Sequence, residues 1–137
     1  MVKQAKLLAE NQSAFLNAAE SGDFGKVKKL LDSGIDLSAN KEKAESALFL
    51  AASQGHLRTV QAILAASVNV DLQNGKYGTI ALMAAAYSGH KEIVQALLAA
   101  KANLESKDSS YGKTALMWAS EMGQNEVIEV LKDAGAK

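Results

Sequence analysis

Two kinds of segment alternate along the chain: short alanine-rich stretches, and stretches whose apolar residues recur at steps of three and four. Such steps place the side chains on one face of an α-helix, so the second kind predicts amphipathic helices. A glycine separates each alanine-rich stretch from the amphipathic stretch that follows: Gly22, Gly55, Gly89 and Gly123. Glycine readily adopts the left-handed conformation that ends a helix and reverses the chain. The pattern therefore predicts an all-α fold made of helix pairs joined by glycine turns.

The helix pairs recur at a regular period. The four glycines lie 33, 34 and 34 residues apart, and similar residues precede them, as in Ala51-Ala52-Ser53-Gln54-Gly55 and Ala85-Ala86-Tyr87-Ser88-Gly89. A period of this length is typical of stacked repeats that share a continuous core. We predict a single domain over residues 1–137, with a leader helix at residues 1–10 and repeats at approximately 11–40, 41–74, 75–108 and 109–137.

Turn-forming residues occupy corresponding places before the last two alanine-rich stretches. Asn74-Gly75-Lys76-Tyr77-Gly78 carries two strong turn signals, and Ser109-Ser110-Tyr111-Gly112 stands at the corresponding place 34 residues later. Asn-Gly and similar pairs favour tight reversals of the chain. We therefore expect both segments to form projecting, hairpin-like loops.

The most telling stretches of the four units are Tyr111-Gly112-Lys113-Thr114-Ala115-Leu116-Met117-Trp118-Ala119 and Gly78-Thr79-Ile80-Ala81-Leu82-Met83-Ala84-Ala85-Ala86. With these stretches in register, the chain resembles the ankyrin-repeat family, in its small stand-alone bacterial form. The proline and histidine of the family's usual Thr-Pro-Leu-His are missing from all four units, as in Thr114-Ala115-Leu116-Met117. The resemblance implies a solenoid of four helix-turn-helix repeats with projecting hairpin-like loops. It also implies that loop tips and first helices form a concave face that holds protein partners.

The ends of such a stack need polar outer faces. Asn17, Lys28 and Lys29 suit a first unit, and Lys132 stands where inner units carry Leu64 or Leu98. The chain stops just past the last predicted helix. We expect a complete domain with no appended catalytic module.

Composition excludes several classes of function. The chain is 48% hydrophobic and 22% charged, which is typical of a globular protein. Its 15 basic and 15 acidic residues argue against nucleic-acid binding. With no cysteine there are no disulfides and no cysteine-rich zinc sites. No apolar run reaches the roughly 20 residues that cross a membrane. A cleaved signal peptide would leave no trace, so the compartment stays open between the cytoplasm and a bacterial periplasm.

The sequence also contains no pattern of residues that is typical of a catalytic site. His56 and His90 both follow a repeat glycine, which favours a structural role over a metal or proton-transfer role. Acidic pairs such as Glu126 and Glu129 have helical spacing on a polar face, where they are solvated. The glycines are too widely spaced to cradle a phosphate. We predict no enzyme activity, no catalytic residue, no cofactor and no metal.

The aromatic residues indicate where a partner binds. Phe15, Phe24 and Phe49 fall at apolar repeat positions and are predicted to be core, whereas the three tyrosines and the one tryptophan fall elsewhere. Tyrosine and tryptophan are enriched at binding hot spots. The alternative is that the tryptophan packs between units and the tyrosines only fill the loops. The predicted partner-binding residues are Lys76, Tyr77, Tyr87, Ser110, Tyr111, Lys113, Trp118, Glu121 and Met122.

These features favour a protein–protein interaction module that is monomeric when free. Its hypothesised role is to bind and inhibit, or sequester, a partner enzyme through the concave face, as an immunity protein does. Two alternatives stay open: an adaptor or scaffold protein, and an engineered scaffold without a native partner. Neither nucleic acid nor membrane is an expected partner.

Overall fold

The computed structural model describes residues 13–33, 41–66 and 80–137. Within these ranges the chain forms helices and turns and no strand, which confirms the all-α prediction. The helices are α1 (residues 13–21), α2 (Phe24–Asp32), α3 (Lys41–Gln54), α4 (Leu57–Ala65), α5 (Ala81–Ser88), α6 (Lys91–Ala99), α7 (Ala115–Glu121) and α8 (Asn125–Asp133). The predicted leader helix, and the loop that contains Lys76 and Tyr77, lie outside the described residues. None of the described helices is long and apolar enough to cross a membrane.

The helices form two rows. The first helices α3, α5 and α7 pack side by side, and the second helices α2, α4, α6 and α8 pack in a parallel row. Within a repeat the first helix packs against the second, as α5 does against α6. This two-row stack of helix pairs is the solenoid that the repeat period predicts.

Small side chains allow the first helices to lie close together. Every residue from Ala81 to Ala86 in α5 is buried, because α3 and α7 flank this helix and α6 lies beneath it. Ala51, Ala85 and Ala119 occupy equivalent repeat positions, and each is 0% exposed. Interhelical distance depends on the side chains at the contact, so alanine at these positions sets the close spacing of the row.

The glycine turns take the left-handed conformation and also serve as contacts between repeats. Gly22 and Gly89 have φ values of +80° and +78°. A Cβ added at Gly22 would lie 2.5 Å from the ring of His56, and one at Gly89 would lie 2.5 Å from the amide of Gln124. Each of these two turns is therefore covered by the residue that precedes the second helix of the next repeat.

Hydrogen bonds reinforce these contacts. The ring Nε2 of His56 lies 3.0 Å from the carbonyl oxygen of Glu20, and the side-chain amide of Gln124 donates to the carbonyl of Tyr87 at 3.0 Å. Since a carbonyl oxygen only accepts, Nε2 of His56 is the protonated ring nitrogen in this contact. His56 thus joins the first two repeats, as the structural interpretation of the histidines predicts.

The phenylalanines differ from the sequence prediction. Phe15 is 1% exposed and belongs to the core, but Phe24 and Phe49 are only partly buried. The guanidinium carbon of Arg58 lies 4.2 Å from the centre of the Phe24 ring, which is a cation–π contact. The prediction that Phe24 belongs to the core is wrong, because it starts α2 at the edge of a groove of about 560 Å³ between α2 and α4.

Candidate protein-binding surface

Three aromatic rings from different segments meet at one place. Trp118 lies in α7, Tyr87 near the end of α5, and Tyr111 in the loop before α7. The Tyr87 and Trp118 ring centres are 5.7 Å apart with planes at 74°, and those of Tyr111 and Trp118 are 5.8 Å apart with planes at 83°. Edge-to-face pairs of this kind match the positive edge of one ring to the negative face of another. We call Tyr87, Tyr111 and Trp118 the aromatic cluster.

Much of the aromatic cluster is accessible to a partner. Tyr111 is 62% exposed and Tyr87 is 45% exposed, while Trp118 is partly buried and packs against the core. Met122, 46% exposed, follows Trp118 by four residues at the end of α7, so it lies on the same side of that helix. Single exposed apolar residues are ordinary, but a contiguous group is typical of a binding site.

A buried carboxylate organises the loop that carries Tyr111. Asp108 is 3% exposed, and its Oδ1 accepts hydrogen bonds from the backbone N–H of Ser110, at 3.0 Å, and of Tyr111. Its Oδ2 accepts from the backbone N–H of Lys113 at 2.9 Å and from the indole Nε1 of Trp118 at 3.1 Å. One side chain therefore fixes both the loop and the edge of the tryptophan ring.

The backbone of the same loop closes on itself. The N–H of Asp108 donates to the carbonyl of Lys113 at 2.9 Å, and the N–H of Gly112 donates to the carbonyl of Asp108 at 3.0 Å. Gly112 has a φ of +65°, a conformation that glycine adopts without a steric cost. Thr114 follows directly, and its hydroxyl accepts from the N–H of Met117 at 3.3 Å as the N-cap of α7. The loop and the helix are consequently one continuous hydrogen-bonded unit.

The environment of Asp108 keeps it ionised. Burial on its own raises the pKa of a carboxyl group, because it disfavours the charged form. Here the hydrogen bonds from Tyr111, Lys113, Trp118 and Ser110 outweigh burial and lower the pKa of Asp108 below 3.8. The carboxylate accepts these bonds as an anion at neutral pH, and charge-assisted hydrogen bonds are stronger than neutral ones.

Two predicted charged residues form an ion pair beside the rings. The Lys113 Nζ lies 2.6 Å from Oε2 of Glu121, and the two side chains are 30% and 52% exposed. The same Nζ lies 4.7 Å from the centre of the Trp118 ring and 5.6 Å from that of Tyr111. Exposed ion pairs add little stability, so the main consequence of this one is positional: it places an ammonium group over the aromatic cluster.

The structure brings most of the predicted binding residues together. Tyr87, Tyr111, Lys113, Trp118 and Glu121 form one chain of contacts. Ser110 takes part through its backbone N–H, and Lys76 and Tyr77 lie outside the described residues. Trp118 also contacts the preceding repeat, so the alternative in which it packs between units describes part of its role.

Sequence reasoning missed two residues. Asp108 was not predicted, although an aspartate just before Ser-Ser-Tyr-Gly is a common turn signal, because its side chain can accept from an N–H two residues on. Met117 is 46% exposed at the open side of α7 and was not predicted either. No sequence signal distinguishes it from its buried counterpart, Met83.

Comparison with known proteins agrees with the repeat architecture. A family model described as ankyrin repeats (3 copies) matches residues 15–108 and residues 48–137, which together cover most of the chain. The chain belongs to the ankyrin-repeat family. A search of curated proteins finds no match. Ankyrin repeats indicate a protein–protein interaction module; repeats of this family generally bind protein partners and are generally not enzymes. In the described part of this ankyrin chain, no three His, Cys, Asp or Glu residues are grouped to hold a metal.

Proposed function

We propose that this ankyrin-repeat protein binds one protein partner through the aromatic cluster, with Met122 and the Lys113–Glu121 pair at its edge. The observation that carries the proposal is the arrangement around Asp108: a buried, ionised carboxylate holds the indole of Trp118 and the backbone that carries the exposed Tyr111 before any partner arrives. Tyrosine and tryptophan dominate binding hot spots because they bury a large area. A surface that is already ordered loses less conformational entropy on binding, which favours affinity.

We further propose that binding inhibits or sequesters the partner, an enzyme, and that the chain itself is not catalytic and is monomeric when free. An inhibitor needs one binding surface, whereas an adaptor needs two. Among the described residues a single aromatic-rich surface is present, which favours inhibition over the adaptor role. The second helices begin with Leu57, Lys91 and Asn125 at equivalent positions, and such irregularity argues for a natural protein over an idealised engineered scaffold.

The test is capture of the partner from cell extract, followed by titration of purified partner against alanine variants. Tyr111→Ala and Tyr87→Ala should each weaken binding by about 2 kcal/mol, roughly 30-fold, because truncated hot-spot rings cost at least this much. Gln95→Ala, on the exposed side of α6, is the matched control and should bind like the parent. Circular dichroism of each variant verifies that folding is unchanged.

The same experiment separates the alternatives. If both tyrosine variants bind like the parent while Gln95→Ala fails, the surface is assigned to the wrong side of the stack. Stoichiometric loss of the partner's enzymatic activity on adding the parent supports inhibition. Unchanged activity, together with recruitment of a third protein, supports the adaptor.

A further inference from the structure

The Lys113 ammonium group shows what chemistry the aromatic cluster accepts. Cations are attracted to the face of an aromatic ring within about 6 Å, and tryptophan attracts them most strongly. The Nζ lies 4.7 Å from the Trp118 ring centre, 5.6 Å from the Tyr111 ring centre and 2.6 Å from the Glu121 carboxylate. We call Trp118, Tyr111 and Glu121 the ammonium site.

We propose that the ammonium site binds a lysine or arginine side chain of the partner, and that Lys113 occupies it in the free protein. This inference rests on the proposed function and adds the chemistry of the contact. The partner's cation displaces Lys113 and takes its place between the rings and Glu121. Lys113 is thus an internal competitor that sets how strongly the site binds.

The surrounding charges favour a cation once Lys113 has left. Glu121 then faces the rings without its partner, and the ionised Asp108 lies at the edge of the Trp118 ring, 3.1 Å from its Nε1. The negative charge at the ring edge adds to the attraction for a positive group on the ring face. Arginine suits the site better than lysine, since its planar guanidinium can stack on a ring and bond a carboxylate through two N–H groups.

Displacement needs no change in the backbone. The N–H of Lys113 is held by Asp108 at 2.9 Å, and its carbonyl accepts from the N–H of Asp108 at 2.9 Å. Only the Lys113 side chain has to change rotamer. An exposed cation–π contact and an exposed ion pair together favour the rotamer of Lys113 that occupies the site over its other rotamers by a factor of about 3 to 30. A well-placed partner cation can overcome this preference.

The test uses small cations as probes, so no partner is needed. Ethylguanidinium chloride and butylammonium chloride are titrated at constant ionic strength, with sodium chloride as the blank. The indole N–H resonance and the fluorescence of Trp118 report binding, since it is the single tryptophan of the chain. Lys113→Met should bind both probes about 3- to 30-fold more tightly than the parent. In the parent, Lys113 fills the site in most molecules, and the apparent affinity for a probe falls in proportion to the fraction of molecules whose site is empty.

Two further variants make the result specific. Glu121→Gln in the Lys113→Met background should weaken probe binding by about 2- to 5-fold, the value of an exposed ion pair. Lys132→Met removes an exposed lysine of α8 as the matched control and should bind like the parent. Lys113→Gln serves as a second variant in case Lys113→Met folds poorly.

The inference is overturned if neither Lys113 variant binds the probes more tightly than the parent, or if Glu121→Gln has no effect in the Lys113→Met background. Failure of the cation site is distinct from failure of the binding surface. A captured partner that loses affinity with Tyr111→Ala keeps the proposed function intact even when the small cations do not bind.

Discussion

The first helices of the third and fourth repeats begin 34 residues apart and share the start Ala-Leu-Met, yet they meet different surroundings. α5 lies between α3 and α7, and Met83 in it is 1% exposed. In α7 the equivalent Met117 is 46% exposed, because no described helix covers its far side. The comparison shows that the position of a helix in the stack, more than the residue type, decides which of its side chains are buried in the core.

A second difference between the two helices lies in the side chains themselves. Ala84 in α5 corresponds to Trp118 in α7, and Tyr87 corresponds to Glu121. Ala84 is a small side chain that is 7% exposed, whereas the large ring in α7 reaches Tyr87 on one side and Tyr111 on the other. The fourth repeat thus places a large ring of the proposed binding surface where the third repeat has a small packing residue.

The largest expected effect comes from truncating the paired methionines. Met83→Ala should lower the free energy of unfolding by about 2–5 kcal/mol, because it leaves a cavity in a packed core. Met117→Ala should cost less than about 1 kcal/mol, since its side chain is half solvated already. Urea denaturation measures both, and equal losses would contradict the contrast between α5 and α7.

Next in size is the replacement of Asp108 by the residue that stands 34 positions earlier, Asn74. Asp108→Asn should destabilise the folded state by about 1–3 kcal/mol at neutral pH, because an amide group replaces one oxygen of a carboxylate that accepts charge-assisted bonds. The Trp118 indole resonance should shift as well, because its acceptor changes.

The same variant has a pH signature. The pKa of Asp108 is lowered in the folded protein, so its stabilisation is complete above the unfolded pKa, near 3.8, and is lost as pH falls through the folded pKa. The stability difference between parent and Asp108→Asn should therefore be constant from pH 7 to about pH 5 and shrink below that. A difference that stays constant down to pH 2 would show that the charge of Asp108 does not matter.

The smallest expected difference is between the stability losses of alanine variants in two glycine turns. Gly89→Ala and Gly123→Ala both place a side chain at positive φ, with values of +78° and +68°, at a cost of about 1–2 kcal/mol each. Gly89→Ala should cost about 1 kcal/mol more, because the new methyl group displaces Gln124 and breaks its hydrogen bond to Tyr87. At Gly123 nothing lies within 4 Å of the added atom, so melting temperatures that fall equally would show that the Gln124 contact contributes nothing.

Part of the candidate site could be predicted from residue type and repeat position. Tyr87, Tyr111 and Trp118 stood out because they fall at places where neither periodicity nor turn chemistry requires an aromatic ring. Asp108 was missed, since its importance depends on donors that come together only when the loop closes and α7 packs. The Phe24 prediction failed for a related reason: its repeat position is apolar, but the next repeat contributes the charged side chain of Arg58 over its ring and leaves a groove beside it.

The sequence by itself determined the helix pairs, their period and the glycine turns, since these follow from hydrophobic spacing and backbone conformation within about 34 residues. It also determined which residue types were available for binding a partner. Only the tertiary structure decided that Met83 is core and Met117 is surface. It alone placed the Asp108 carboxylate against Trp118, ten residues away, and Lys113 over the same ring. Burial and side-chain contacts depend on which neighbours the stack supplies, and identical local patterns acquire different neighbours along it.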